Sequence, residues 1–566
     1  MKQVQLFVII LFSTIEILFA AEQVCDGLYL TSERVEFSEN EKKLICDGKT
    51  KGWSVIPINQ KKFQIQTFLQ SRGYYQPSFE HKNQNLYVDI GEKVNIKKIS
   101  FEGVPEKFYD VQYTGPLEEE LTPDNLNKIK AWTTSRLNRI GHPCADIEGR
   151  ASFLTGEVKL LVSVGERIKI KTIKRENNTE FIPTIFSRYD AVIKNSVYNE
   201  DFLNLTTQRV IQSGLVTYSY FEHNCETPHV IEQKFLDKKP HSIIFGFGGS
   251  SEEIPIFETR YRNTGLDDRG SQLTSRLYFS NRKQLLEVGV NYYPITSRPR
   301  FSIVPLAQYV KNVEDIFESE QRSLSVGLIQ TKETYWSQYV YEFEPGILSE
   351  TNFNSDLPEN LELITLNLRG SKTTHYFEYF QASPRMGHRW GVQANYFQGL
   401  NEDEKNNGTK VSVSGTYLSN YQNFAPPKTI LGVRFFYHTL FTDGLEDVPQ
   451  AYRLYLGGQD DIRGFGRKTI NNDEKGFLTT AHLSFESRFN QILPYQLQPY
   501  LFYDFAKNGL KTMQFTDVLY HSPGIGLRFE SPIGNFRLNV AYGNTTPHDP
   551  LVKEGTNLYF SYGREF

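Results

Sequence analysis

Beyond its first twenty residues the chain has no apolar run long enough to cross a bilayer as a helix, and its mean hydropathy is negative. A helical inner-membrane protein is therefore excluded. An excess of one charge sign is also missing: 62 Lys and Arg face 66 Asp and Glu, for a net charge of -4. Nothing in that balance recommends nucleic acid as a partner. There is no Gly-x-Ser-x-Gly elbow, and the His and Ser residues form no recognisable catalytic set, which argues against a hydrolase. Close Cys or His spacing of the zinc-site kind is lacking too, so no metal and no cofactor are expected. Methionine is scarce, at 3 residues, whereas Phe and Tyr number 41 and 33. Such aromatic content suits a transmembrane β-barrel, where rings form girdles at both bilayer interfaces and where alternating polar lumenal residues keep average hydropathy low.

The beginning of the chain sets the compartment. Lys2 precedes an apolar run from Val4 to Phe19, interrupted by Glu16, and Ala20-Ala21 offers small residues for cleavage. Residues 1–21 thus read as a secretory signal peptide, too short for a spanning helix. Cys25 follows Glu22-Gln23-Val24 rather than small residues, which disfavours a lipoprotein. In an exported chain Cys25, Cys46, Cys144 and Cys225 suggest disulfides. Cys25 with Cys46 is the local pairing, which would leave Cys144 and Cys225 to bridge two modules; all three pairings stay open.

The first 240 residues repeat. Val88-Asp89-Ile90-Gly91-Glu92-Lys93-Val94-Asn95-Ile96 returns as Val162-Ser163-Val164-Gly165-Glu166-Arg167-Ile168-Lys169-Ile170, about 74 residues on, a period suited to small tandem domains. Helical spacing over Phe63 to Ser71, Leu126 to Ile140 and Phe202 to Ser213 ends each time at a glycine (Gly73, Gly141, Gly214), and an extended stretch follows. Three helix-then-strands units are expected, at 22–95, 96–167 and 168–240. A short helix over few strands leaves a sheet edge that can bind an extended peptide by adding a strand.

From His241 the period changes to two. Leu286, Val288 and Val290 alternate with polar or small residues, and Phe477, Ala481, Leu483, Phe485 and Phe489 oppose Thr480, His482, Ser484, Glu486 and Arg488. At roughly 20 residues per strand with its connection, 241–566 predicts an antiparallel transmembrane barrel of about sixteen strands. In the last strand Leu558, Phe560, Tyr562 and the terminal Phe566 share one face.

Gly457-Gly458-Gln459-Asp460-Asp461-Ile462-Arg463-Gly464-Phe465-Gly466 lies in a connection far longer than a hairpin needs, and long loops in compact folds are usually functional. Strand parity points Glu486 and Asp504 into the lumen, a receptor for one planar guanidinium. Arg463 is expected to reach inward and pair with both. Gly524 and Gly526, facing inward with Arg528, are expected to make room for Phe465 and the loop backbone.

Arg463-Gly464-Phe465, the Glu486 and Asp504 strands, the stretch from Pro523 to Gly534 and the terminal aromatic together resemble the outer-membrane assembly-factor superfamily, which includes BamA, TamA and the two-partner-secretion transporters. The three repeat units resemble POTRA domains, and their number, the expected strand count, the length and Gly73-Tyr74-Tyr75-Gln76-Pro77 are most similar to the TamA branch. The four cysteines and the stretch from Cys25 to Trp53 depart from its pattern. The resemblance implies a Gram-negative outer-membrane location with periplasmic POTRA units, unfolded barrel or autotransporter clients, a TamB-type inner-membrane partner, contact with outer-membrane lipid, and no enzymatic activity. It also implies a lateral seam between the first strand, near Ser242 to Phe247, and the last. The competing expectation is a two-partner-type secretion pore or passive channel.

Overall fold

The computed structural model describes residues 22–562 except 26, 32–36, 39, 41–45, 47–56, 114, 177–178, 354–356, 381–384, 401–405, 422–423, 426, 491, 495–496 and 532–533. The expected signal peptide and Phe566 lie outside the described residues, as does most of the stretch from Cys25 to Trp53. By compactness the chain divides into two bodies. One holds the first repeat unit and most of the second. The other holds the third unit, the barrel and two short pieces of the second.

The same connectivity builds each N-terminal sheet. In the first unit β1 (Glu22–Cys25), β2 (Leu28–Leu30), β3 (Ser78–Lys82) and β4 (Asn85–Asp89) are ordered β1-β2-β4-β3. The second unit has β5 (Lys98–Glu102), the short β6 (Gln112–Tyr113), β7 (Asp146–Ser152) and β8 (Glu157–Ser163), with sheet order β5-β8-β7. The third has β9 (Thr172–Arg175), β10 (Val216–His223) and β11 (Val230–Asp237), ordered β10-β11-β9. In every case the unit's last strand is interior, antiparallel to its hairpin mate and parallel to an earlier strand, β2 in the first unit, β5 in the second and β9 in the third. Two units have three strands, while β1 widens the first sheet to four.

One amphipathic helix covers each sheet: α1 (Ile58–Ser71), α2 (Pro123–Arg139) and α3 (Glu200–Ser213). α1 buries Ile65 and Leu69 against Leu28, Leu86 and Val88, while α3 buries Phe202, Leu203 and Leu205 against Ile168, Ile170 and Ile231. Apolar residues at these helical spacings have no other way to leave water. The side chain of Asn199 caps α3 by accepting from the Asp201 amide, and Gly214, at φ +80°, closes it in the left-handed region. These are three small helix-on-sheet units.

The cysteines resolve in part. Cys144, which follows α2, is joined to Cys225 in the turn between β10 and β11, so this bridge does cross from the second repeat to the third. Cys46 is also disulfide-bonded, while the side chain of Cys25 lies outside the described residues. The hairpin also brings His223 beside this bridge, its Nδ1 3.9 Å from Cys144 Sγ, while both cysteine sulfurs are taken up by the disulfide.

The barrel closes with sixteen strands: β12 (His241–Ser250), β13 (Ile256–Asn263), β14 (Gln272–Phe279), β15 (Lys283–Asn291), β16 (Phe301–Val313), β17 (Glu318–Glu333), β18 (Ser337–Phe353), β19 (Asn360–Thr374), β20 (Gly387–Gly399), β21 (Asn407–Tyr421), β23 (Thr429–Phe441), β24 (Thr479–Phe489), β25 (Leu497–Gly509), β26 (Leu519–Ser531), β27 (Gly534–Thr546) and β28 (Gly555–Tyr562). The short β22 (Phe424–Ala425) stands outside the cylinder and pairs in parallel with β6. Neighbouring barrel strands are antiparallel, so the alternation in sequence becomes an apolar outer wall and a polar lumen. Leu501, Ile525 and Leu558 are exposed on the outside, while Ser484, Asp504 and Ser522 on neighbouring strands are buried within.

Closure is uneven. β12 meets β13 from His241 to Gly248, but among the described residues it meets β28 only where Gly249 and Ser250 face Tyr562 and Ser561. Ile243, Ile244, Phe245 and Phe247 are all exposed, on both faces of β12.

Candidate functional site

The 442–478 segment leaves β23, turns into the lumen and rejoins the wall at β24. It carries an apolar core of its own, in which Val448, Leu454, Ile462, Phe465 and Ile470 pack against lumenal Phe397 and Tyr520. The segment doubles back on itself, pairing Leu454 with Phe477 and Leu456 with Ile470. Glycine is required at that fold: Gly457 has φ +104°, and a β-carbon there would fall 2.3 Å from the Gly466 carbonyl oxygen. Lumenal Glu350 on β18 holds the segment's other end, accepting from the amides of Gln450 (2.9 Å) and Ala451 (2.8 Å).

Arg463 sits at the tip and is 1% exposed. Its Nε and Nη2 donate to the two carboxylate oxygens of Asp504 at 2.8 and 2.7 Å, a bidentate fork, and its backbone N–H donates to Asp504 at 3.2 Å. Nη1 donates to Glu486 at 3.3 Å and Nη2 to Ser484 Oγ at 3.1 Å. The hydroxyl of Ser484 in turn donates to Asp504 at 2.6 Å. Glu486 also accepts from Arg488 at 2.6 Å and stands 3.7 Å from Arg537, so its charge is shared among three guanidiniums. Below the fork lies the face of Phe502, its centroid 3.4 Å from the guanidinium carbon, a cation–π contact out of bulk water.

Gly464 and Phe465 attach the tip to the last two strands. Asn557 donates to the Gly464 carbonyl and the Tyr559 hydroxyl to that of Phe465, both from β28. A β-carbon on Gly464 would come within 2.5 Å of Gly543 on β27, so two glycine backbones touch here. The ring of Phe465 is fully buried, edge-on to Tyr520.

Gly524 and Gly526 have a different neighbour from the one expected. Their missing side chains make room for the rings of Phe502 and Tyr500, since β-carbons there would stand 2.1 and 2.2 Å from those rings. The loop backbone finds its clearance at Gly543 instead. The cause is register: Phe502 and Tyr500 lie directly opposite Gly524 and Gly526 on β25, and fill the gap before the loop arrives. Arg528 is buried on the same face, two residues further along β26. In β28, Leu558 and Phe560 point outward, and Tyr562 packs on Phe536.

A second arm of the loop was not anticipated. Arg467 donates to both oxygens of Glu314, at 2.9 and 2.6 Å, and lies 3.5 Å from Glu253 and 3.7 Å from Glu252. Lys468 adds a 3.0 Å contact to Glu314 over the ring of Phe317. The Gln459 amide donates to Glu252 at 2.9 Å. Glu252 and Glu253 occupy the turn after β12, so the loop is tied to both flanks of the closure: to β28 through Asn557 and Tyr559, and beside β12 through this acidic turn. Strand parity turns Ser484 inward with Glu486, and the same parity would flag Asn557 and Tyr559 as lumenal. Nothing local marked the turn residues.

At the other end of the barrel the third unit docks through another buried guanidinium. Arg209 of α3 donates to Glu378 at 2.6 and 2.8 Å and to Glu333 at 2.9 Å. Glu378 belongs to α4 (His375–Tyr379), a single helical turn between β19 and β20. His375 shares Glu333 at 2.9 Å. Burial and the neighbouring Arg209 push the His375 imidazole down to about 4. Two guanidiniums, Arg209 and Arg300, already face the two carboxylates, so a charged imidazole would be uncompensated. Phe202 packs edge-on against Tyr335, Trp336 and His375, sealing the junction.

Residues 245–566 match the Omp85 superfamily domain. No curated protein sequence matches the chain. Among solved structures, the fold is similar to BamA from Haemophilus ducreyi lacking POTRA domains 1–3, with a TM-score of 0.51 and 14% identity over 78% of this chain and 94% of that one. CdiB from Escherichia coli gives a TM-score of 0.47 at 11% identity over 83% of this chain and 90% of that one, below the level at which a fold argument can rest on it. With the domain match covering more than half its length, the chain belongs to the Omp85 superfamily of outer-membrane β-barrel proteins.

Proposed function

We propose that this protein inserts or secretes outer-membrane client polypeptides, autotransporters among them, through a lateral seam between β12 and β28. The observation that carries the reading is the closure itself. β12 is exposed on both faces and shares with β28 only the pairs at Gly249 and Ser250 among the described residues. A strand edge freed at this closure is a template on which a client strand can pair by β-augmentation. Folding of the client supplies the free energy, so no nucleotide is required.

The lumenal segment acts as a clasp. It is bonded to β28 by Asn557 and Tyr559 and to the turn beyond β12 by Gln459 and Arg467, so spreading the seam has to break or carry along one set of contacts. In this reading Arg463, Glu486 and Asp504 hold the clasp in register with the wall. The three units, at 22–95, 96–167 and 168–240, stand in the periplasm and pass client strands to the seam along their sheet edges. A periplasm-spanning inner-membrane protein of TamB type is the proposed partner.

A cysteine pair tests this. Ser250 and Ser561 face each other across the seam, and Ser250→Cys with Ser561→Cys should give a disulfide that shuts it. Oxidised cells should lose barrel and autotransporter clients from an inventory of their outer membranes, and reductant should restore them. Normal client levels with the seam fully cross-linked would overturn the proposal in favour of a pore. A pore also predicts that Arg463→Ala raises ion conductance while leaving clients untouched.

A further inference from the structure

Inside the barrel, where the third unit docks on the rim, a hollow of about 390 Å³ lies between that unit and the wall of β15 to β17. Asn291 and Thr331 line it from the strand face opposite the outward, exposed Val288 and Leu324, and Ser302 is buried between them. None of these three side chains has a hydrogen-bond partner among the described residues. Arg188, Arg209 and Arg300 bring positive charge to the same hollow.

Those three charges are met unevenly. Arg209 holds Glu378 and Glu333. Arg300 donates through Nη2 to the carbonyls of Ser187 (3.0 Å) and Asp190 (2.9 Å) and stands 3.8 Å from Glu333. Arg188, in the 3-10 turn Pro183–Tyr189, is 8% exposed and meets no carboxylate among the described residues. Its Nε donates to the Pro299 carbonyl at 2.6 Å and its Nη2 to that of Arg269 at 3.1 Å, over the face of Tyr293, while Nη1 is buried with no acceptor. The carboxylate of Asp190 is no help, because Arg175 holds both its oxygens. Among the described residues three guanidiniums therefore share Glu333 and Glu378, with His375 held neutral beside them. A buried guanidinium left without a counter-charge is costly, and one that also keeps an unused N–H is a receptor short of its anion.

We infer that this hollow binds a carboxylate carried on an extended polypeptide, which completes the charge of Arg188 and is held at its edges by Asn291, Ser302 and Thr331. One excess positive charge calls for a monoanion, and the amide and hydroxyls beside it can donate to the second oxygen. The hollow is larger than a lone carboxylate group and within the range of sites that enclose a ligand's body. That the bearer is a peptide rests on the client-handling reading: the hollow stands at the end of the lumen that faces the third unit, where an incoming chain enters.

The test follows the fluorescence anisotropy of a labelled, end-capped serine–glycine peptide with one central glutamate, added to the full-length protein in detergent. It should bind at least tenfold more tightly than its glutamine counterpart, and free acetate at equal concentration should not displace it. Arg188→Met should lower that affinity at least tenfold and bring the two peptides level. Asn291→Asp, nearly isosteric, places a tethered carboxylate in the hollow and should likewise remove the glutamate preference. Equal binding of the two peptides by wild type, or an unchanged preference in Arg188→Met, would overturn the site, and displacement by acetate would overturn the peptide as its bearer. If Arg188→Met fails to fold, an intact preference in Asn291→Asp overturns the inference by itself. The assay needs no movement of β12 or β28, so its failure leaves the seam to be judged by the cross-link between positions 250 and 561.

Discussion

Two buried guanidiniums, one inside the barrel and one on its rim, are answered by carboxylate pairs in different settings. Arg463 hangs from an irregular loop, is 1% exposed as a side chain, and meets Asp504 and Glu486 from adjacent strands of one wall. Arg209 projects from a helix, is 7% exposed, and meets Glu333 at the end of β17 and Glu378, itself 20% exposed, on a helical turn. The first joins a segment to the barrel that encloses it; the second joins one domain to another. A rigid wall with two acids on one face can hold a flexible loop, because the receptor exists before the loop arrives. At the junction neither partner is complete alone, so the helix, the strand end and the turn must come together at once.

Removing each arginine breaks this comparison most sharply. Arg463→Ala leaves Asp504 and Glu486 buried beside an empty space and should cost about 3–5 kcal/mol of the loop's attachment. The expected result is protease cleavage within 442–478 while the barrel still migrates as a folded species in a heat-modifiability gel. Arg209→Ala should cost less, about 2 kcal/mol, because Glu378 is reached by water and Glu333 keeps His375. Hydrogen exchange should then quicken in α3 and α4 and stay slow in β24 and β25. Equal effects from the two substitutions would remove the distinction between a preformed receptor and a shared one.

Gly464→Ala sharpens the comparison on the loop side. Its β-carbon would meet Gly543 at 2.5 Å, and such overpacking should cost about 1–3 kcal/mol. The loop should lift without loss of the Arg463 fork, giving partial rather than complete cleavage. Gly524→Ala tests the reassigned glycine: it should disturb Phe502 and so the floor under Arg463, which near-ultraviolet circular dichroism would report.

The smallest effect is a pH dependence confined to the junction. His375 is held down to about 4 when folded, below its ordinary 6.5, so its contribution to docking is present above the ordinary value. That contribution should fade as pH drops from about 6.5 toward 4, where folding no longer excludes the proton. Exchange at α3 should rise over that window in the wild type and flatten in His375→Gln. An unchanged profile in the variant would mean that another group governs the junction.

The distribution of side chains between lumen and lipid was legible in the sequence, because alternation is a property of the extended backbone itself. Once a strand is extended, Ser484, Glu486 and Arg488 share a face whatever their neighbours do. The same holds for the helix stops at Gly73, Gly141 and Gly214, which mark local backbone needs. Gly524 shows where that reading ends: parity turned it inward, but only the register of β25 against β26 put the ring of Phe502 in the space before the loop could use it.

The sequence alone determined that this is a chain of small α/β repeats followed by a long run of two-faced strands with an arginine loop and lumenal acids, since each of these follows from spacing within a few residues. The tertiary structure decided how the cylinder closes at Gly249 and Ser250, that Arg467 reaches the turn at Glu252 and Glu253, and that Arg209 meets Glu333 and Glu378. Those contacts join residues more than a hundred positions apart, and no local periodicity encodes them. Their distances are set by register summed around a closed sheet and by the docking of one domain on its rim.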